Sequence, residues 1–251
     1  MNKETQNKQI LSVDRFDEEI SLWQLIPCGS GRGTTHLRLI ADSILNNNQP
    51  SVPTKPLSLL LHGKGGAKKT HASAFLRAIG IDSVNRIPAG MLYSLRDLSE
   101  YFDSAEACII TEIDDMPPML HLVIDSIIEK GEYLTCNFRN EKECHPVMVP
   151  VILTANDISD VPPLLVQMVN HVVRLENYTK EQLKLVLIQR LKYCGIESSI
   201  TEKTLDLLIG DAEPLTLYAL IRVLKVAVTV MLADSRRIMT DSDIRKAVKL
   251  A

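Results

Sequence analysis

A chain of 251 residues with 45% apolar and 24% charged side chains has an ordinary globular composition and is long enough for a full core. A formal net charge of −3 excludes a polybasic coat for DNA, and 4% aromatic residues argue against a stacking platform for single strands. No uncharged apolar run is long enough to span a membrane and the first residues hold no apolar signal core. Cys28, Cys108, Cys136, Cys144 and Cys194 are irregularly spaced, so the expectation is a reducing, cytoplasmic setting.

In chain order, residues 1–50 read as a polar leader followed by helices. One helix is expected around Phe16, Ile20, Trp23 and Leu25, ending at Pro27, and a second from Thr34 to Leu45. From there short apolar runs alternate with helical spacing. Leu57–Leu61, Val84–Ile87, Cys108–Ile113, Tyr133–Phe138, Val147–Thr154 and Val172–Leu175 read as strands. Thr70–Ile79, Ser94–Phe102 and Pro118–Glu129 read as helices, and Arg139 to Glu143 as a charged turn. Buried strands alternating with helices predict an α/β domain over 51–177 with a parallel sheet covered on both faces. After Tyr178 the strands stop. Thr179–Tyr193 (with Thr179 as N-cap), Thr201–Ile209, Leu215–Leu232 and Asp241–Leu250 predict a helical domain over 178–251.

The sharpest local signal is Leu60-Leu61-His62-Gly63-Lys64-Gly65-Gly66-Ala67-Lys68-Lys69-Thr70-His71, set between the first strand and a helix. A phosphate-binding loop needs a glycine, four variable residues, then glycine, lysine and a hydroxyl residue. Gly63, Lys69 and Thr70 match, but Lys68 stands where the second glycine belongs. In this register Lys69 reaches phosphate, Thr70 holds Mg²⁺, and the backbone from Gly63 to His71 cradles the anion. A glycine-rich turn with solvated lysines is the plainer alternative. A second signal, Cys108-Ile109-Ile110-Thr111-Glu112-Ile113-Asp114-Asp115, is an apolar strand ending in acids. Its simplest frame puts Thr111 in the position of a metal-holding acid and Glu112 in that of a water-polarising one. Asp114 or Asp115 could serve the metal instead, although two residues along a strand is about 6–7 Å of displacement. A third strand, Val151–Thr154, delivers Asn156 toward the same place.

In this order the three signals and the helical appendage resemble the AAA+ class of P-loop ATPases. Asp97-Leu98, Ile109–Ile113 and Val172–Glu176 are similar to branch-migration motors of the RuvB type; the Lys64-Gly65-Gly66 loop and Gly131 to Asn156 resemble superfamily-three helicases. The resemblance implies a P-loop parallel sheet with a C-terminal all-helical lid, an ATP–Mg²⁺ cofactor, and assembly with other AAA+ subunits, with DNA as a possible partner; RuvB-type motors continue into a winged helix, which is not expected in this length. It implies catalytic roles for Glu112 and Asn156.

Departures from the family pattern are as informative. Val166 and Met168 occupy the positions of the arginine finger, whose loss costs a factor of about 10³–10⁵ in turnover. Glu213 reverses the sign of the lid arginine, and Arg222 lies more than two helical turns further on. With Lys68 and Thr111, four features are altered. The leading expectation is therefore a weakly active or inactive ATPase subunit in a replication, recombination or other AAA+ assembly. The alternative is an active helicase or branch-migration motor.

A plain DNA-binding module has the least support. Arg139 and Lys142 sit beside Glu141 and Glu143, and Arg236, Arg237, Arg245, Lys246 and Lys249 are offset by Asp234, Asp241 and Asp243. Cys136, Cys144 and His145 lack the paired spacing of a zinc site.

Overall fold

The computed structural model describes residues 32–46, 55–63, 68–136, 142–196, 199–211 and 217–250. The expected helix around Phe16, the loop interior Lys64–Ala67, the turn residue Arg139 and the lid residue Glu213 lie outside them. The chain divides into two units, one over Gly31–Asn177 and the other beginning at Tyr178.

In the first unit, strands β1 (Ser58–His62), β2 (Val84–Pro88), β3 (Ala107–Thr111), β6 (Val151–Ala155) and β7 (His171–Arg174) form one sheet in the order β2-β3-β6-β1-β7. Every pairing is parallel. All five residues of β3 and of β6 are buried, as expected for strands covered on both faces. Alternation sorts their side chains: Leu60, Ile110 and Leu153 join one cluster with Leu98, Phe102, Leu120, Ile124 and Leu165 from the flanking helices. Those helices are α3 (Leu95–Asp103), α4 (Pro118–Lys130) and the short α5 (Pro163–Met168). Helix α3 opens with a capping box between Ser94 and Asp97, and α4 closes on Gly131 at φ 73°.

Helix α1 (Arg32–Asn46) packs against β7 and α2 (Lys68–Ala78), so it belongs to the sheet unit. At Gly33 this approach is close enough that a Cβ would lie 2.0 Å from the Arg174 carbonyl oxygen.

Two expected elements differ. The strand read as Cys108–Ile113 stops at Thr111, because Glu112 turns left-handed (φ 58°, ψ 54°) and Ile113–Asp115 winds into a 3₁₀ turn. The charged segment read as a turn is partly a strand: β5 (Lys142–Pro146) pairs antiparallel with β4 (Glu132–Cys136) in a separate hairpin. Only Val151 onward enters the main sheet, and residues 147–150 connect the hairpin to it. Exposure explains the misreading, since Lys142, Glu143 and Cys144 all face solvent. Tyr133 anchors the hairpin by burying its ring in the core and stacking on His145 at 4.9 Å.

The second unit is α6 (Lys180–Tyr193), α7 (Glu202–Asp211), α8 (Leu217–Ala233) and α9 (Asp241–Leu250). The expected cap at Thr179 is present as a capping box with Gln182. Leu187, Leu191, Leu208, Leu224, Val228, Met231 and Ile244 form a core of its own. Arg236 and Asp243 join through two hydrogen bonds of 2.7 and 2.6 Å, while the Thr240 backbone N–H and hydroxyl both donate to Asp243 Oδ2 at 2.8 Å. These bonds hold the Asp243 carboxyl well below the usual carboxylate range.

Candidate functional site

The order β2-β3-β6-β1-β7 brings the carboxyl ends of β3, β6 and β1 side by side, where ligands of open parallel sheets bind. Backbone contacts fix the exit of β1. Leu175 N–H donates to the His62 carbonyl at 2.7 Å, and Gly63 N–H to the Ala155 carbonyl at 3.3 Å. Gly63 has φ +143°, and a Cβ there would lie 2.0 Å from the Leu175 carbonyl oxygen, so only glycine fits.

Helix α2 begins at Lys68, which is 6% exposed. Its ammonium donates to the Gly63 carbonyl at 2.5 Å and to Asn156 Oδ1 at 3.0 Å. Asn156 in turn offers its amide N–H to Asp114 Oδ2 at 3.5 Å. Burial lowers the Lys68 pKa, an effect opposed by the negative charges of Asp114 and Glu112 and reinforced by Lys69. Lys69 points elsewhere: its side chain is 53% exposed and pairs with Glu112 Oε1 at 3.3 Å. Glu112 is anchored by its backbone, the N–H donating to Thr154 Oγ1 at 3.2 Å. A left-handed glutamate at a strand end is the kind of backbone strain that clusters at working sites.

Asn156 and Gly63 also line a cavity of about 420 Å³ that His62, Asp157, Arg174 and Glu176 share. His62 is driven toward its neutral form, first by burial and then by Arg174, against the pull of Asp157. At this end of the sheet the buried Thr111 Oγ1 and Asp114 Oδ1 have no hydrogen-bond partner among the described residues.

The residues expected from sequence therefore separate into groups. Gly63, Lys68, Lys69, Glu112, Asp114 and Asn156 come together. Thr70 is half-buried in the first turn of α2, while Lys64, Gly65, Gly66 and Ala67 lie outside the described residues. His71 turns its ring into the core, within 3.3 Å of the Thr34 hydroxyl. Asp115 is exposed and lies beside Gly90. The 6–7 Å displacement argued against Asp114 presumes a continuing strand. The turn at Glu112 instead folds Asp114 back onto Asn156. Val166 and Met168 pack against the apolar core, leaving no charge at either position.

Sequence reading missed His62 and Arg174, partners across β1 and β7, as cavity residues. The signal available was the pairing of two strand ends that both stop on a cationic or titratable side chain.

The sequence matches no protein-family model and no curated protein. Among solved structures the fold is similar to the Holliday junction branch migration motor RuvB of Thermotoga maritima. The TM-score is 0.64 at 14% identity, over 88% of this chain and 69% of that one. A point mutant of that motor gives 0.65 at 15% identity, over 88% and 70%. NtrX from Brucella abortus, solved in complex with ADP, gives 0.57 at 14% identity over 86% of this chain and 54% of its own. The likeness establishes the fold: a parallel α/β sheet with C-terminal helices, as in the AAA+ P-loop ATPases.

Proposed function

We propose that the chain is an AAA+ nucleotide-binding subunit that takes ATP at the carboxyl ends of β1, β3 and β6 and turns it over weakly or not at all on its own. The observation that carries this reading is the convergence of Lys68, Asn156, Asp114 and the Lys69–Glu112 pair beside a cavity opened by Gly63. Cations, an amide and two carboxylates around a strand–loop–helix junction suit a polyphosphate with its counter-ion.

Mg²⁺ fits the residues present. Thr111 Oγ1 and Asp114 Oδ1 are buried without hydrogen-bond partners among the described residues, and a hydrated cation would supply them. Thr70 and Asp114 are the residues that would hold it, with the exposed Asp115 as the alternative acid. Bound there, the ion would neutralise charge on the phosphates.

Weak turnover is the expectation for three reasons. Thr111 brings no negative charge to the strand end. Val166 and Met168 are apolar and packed on the core. Glu112 is engaged with Lys69 at 3.3 Å. A second reading, an active motor, draws on Glu112 itself, since it stands beside the site and a half-exposed ion pair is easily broken. Assembly with AAA+ subunits on DNA in replication or recombination belongs to the same proposal and rests on the fold. No helix among the described residues is long and apolar enough to cross a membrane.

Calorimetric titration with Mg²⁺–ATP tests the nucleotide reading: saturable binding is expected, and no binding at millimolar ATP sinks it. Multiple turnover that Glu112→Gln removes would establish the active motor against the weakly active subunit.

A further inference from the structure

We propose that Lys68, the residue standing where the loop pattern calls for glycine, is the cation that meets the terminal phosphate of a bound nucleoside triphosphate, and that Lys69 is not. The inference rests on the nucleotide reading above and deepens it, because it names which side chain distinguishes a triphosphate from a diphosphate.

Consecutive helical residues do not share a face, so Lys68 and Lys69 leave the start of α2 in different directions. The structure shows which goes where. Both named acceptors of Lys68, the Gly63 carbonyl and Asn156 Oδ1, belong to residues that line the cavity. Lys69 is half exposed and turned to Glu112. A phosphate entering between Gly63 and Asn156 meets the Lys68 ammonium in place. To reach Lys69 it would have to draw that side chain away from Glu112 and in from the exposed face.

The position of the contact is informative as well. Asn156 follows the central strand β6, whereas Gly63 marks the entry of the loop. The Lys68 ammonium bridges these two landmarks, both of which line the cavity. An arriving phosphate oxygen would replace Asn156 Oδ1 as an acceptor, exchanging a neutral partner for a charged one. That exchange would free the Asn156 amide, which already reaches Asp114 through its N–H. Lys68 would thereby supply from within the chain a positive charge that Val166 and Met168 do not supply to a neighbour.

The test compares Mg²⁺–ATP and Mg²⁺–ADP affinities by calorimetry for the full chain and three variants. Lys68→Gly restores the glycine–lysine–threonine order, so it separates the two lysines most sharply. The expected result is that Lys68→Gly and Lys68→Met each weaken ATP binding about tenfold or more, with ADP changed far less. Lys69→Ala is expected to change both by less than about threefold, as for loss of an exposed ion pair. If Lys68→Gly instead strengthens ATP binding, or Lys69→Ala carries the tenfold loss, Lys69 is the phosphate lysine and the inference is overturned. Should the unsubstituted chain bind neither nucleotide, the nucleotide reading itself fails. Lys68→Met keeps the aliphatic stem and decides the matter if the glycine variant does not fold.

Discussion

The molecule contains two polar clusters of similar size that differ in how they are completed. In the helical unit, Asp243 is 1% exposed and accepts from Arg236 and Thr240 with four hydrogen bonds between 2.6 and 2.8 Å. In the sheet unit, Lys68, Asn156 and Asp114 form a looser chain of contacts from 2.5 to 3.5 Å, with Thr111 Oγ1 and one Asp114 oxygen left over. A completed ionic cluster holds its own structure together, and substituting it costs stability. One with polar atoms to spare, beside a cavity and a strained glutamate, is arranged for something that arrives later.

The comparison can be broken most forcefully at Gly63, the hinge of the sheet-side cluster. An alanine there would take a φ of +143° and press a Cβ to 2.0 Å from the Leu175 carbonyl oxygen. The expected loss is about 3 kcal/mol or more by denaturant titration. Next comes Asp243→Ala, which leaves the Arg236 guanidinium with Asp234 as its remaining carboxylate and removes the bonds at the start of α9. Its expected cost is roughly 2–3 kcal/mol, reduced from a fully buried pair because Arg236 is one-third exposed. Asn156→Ala is expected to cost only about 1 kcal/mol, since it removes one part-buried bond from Lys68 and one long, exposed bond to Asp114. If Asn156→Ala proved the more damaging of these two, the contrast between a structural and a receptive cluster would be wrong.

Acid should act on the helical cluster in a defined direction. The folded-state pKa of Asp243 is depressed by Arg236 and Thr240. Its contribution is therefore present above the unfolded carboxylate pKa of about 3.9 and is lost as pH falls through the folded value. Stability should decline below about pH 4 in the parent chain, and Asp243→Asn should flatten that decline.

The smallest effect sharpens the comparison from the other side. Glu112 has φ 58°, which glycine adopts freely, so Glu112→Gly should be about 1 kcal/mol more stable than Glu112→Ala. Equal stabilities would show that the left-handed turn stores no strain.

Much of the fold was legible because buried parallel strands write long apolar runs, as Cys108–Ile110 and Val151–Leu153 do. The hairpin was legible only in part: its first strand and charged turn were expected, but its second strand was placed at Val147 onward instead of Lys142–Pro146. Its second strand is exposed and charged, and pairing alone defines it, which no hydrophobic period records. The candidate site was legible as a neighbourhood but not as a set of directions. The loop pattern assigns phosphate to Lys69 by register, yet a helix separates neighbours by direction, and Lys68 is the one that turns inward. Asp114 was named from sequence as one of two candidate acids, but the turn that brings it to Asn156 was not legible. A left-handed residue at Glu112 reverses the chain, and left-handed non-glycine residues leave no mark in composition. His71 adjoins the loop in sequence while its ring serves the core beside Thr34.

The most direct measurement is a structure of the full chain with a non-hydrolysable ATP analogue and Mg²⁺. The account predicts the triphosphate between Gly63 and Asn156, with the Lys68 ammonium on its terminal phosphate and Lys69 still beside Glu112. A terminal phosphate held by Lys69, with Lys68 remaining on the Gly63 carbonyl and Asn156, would contradict it.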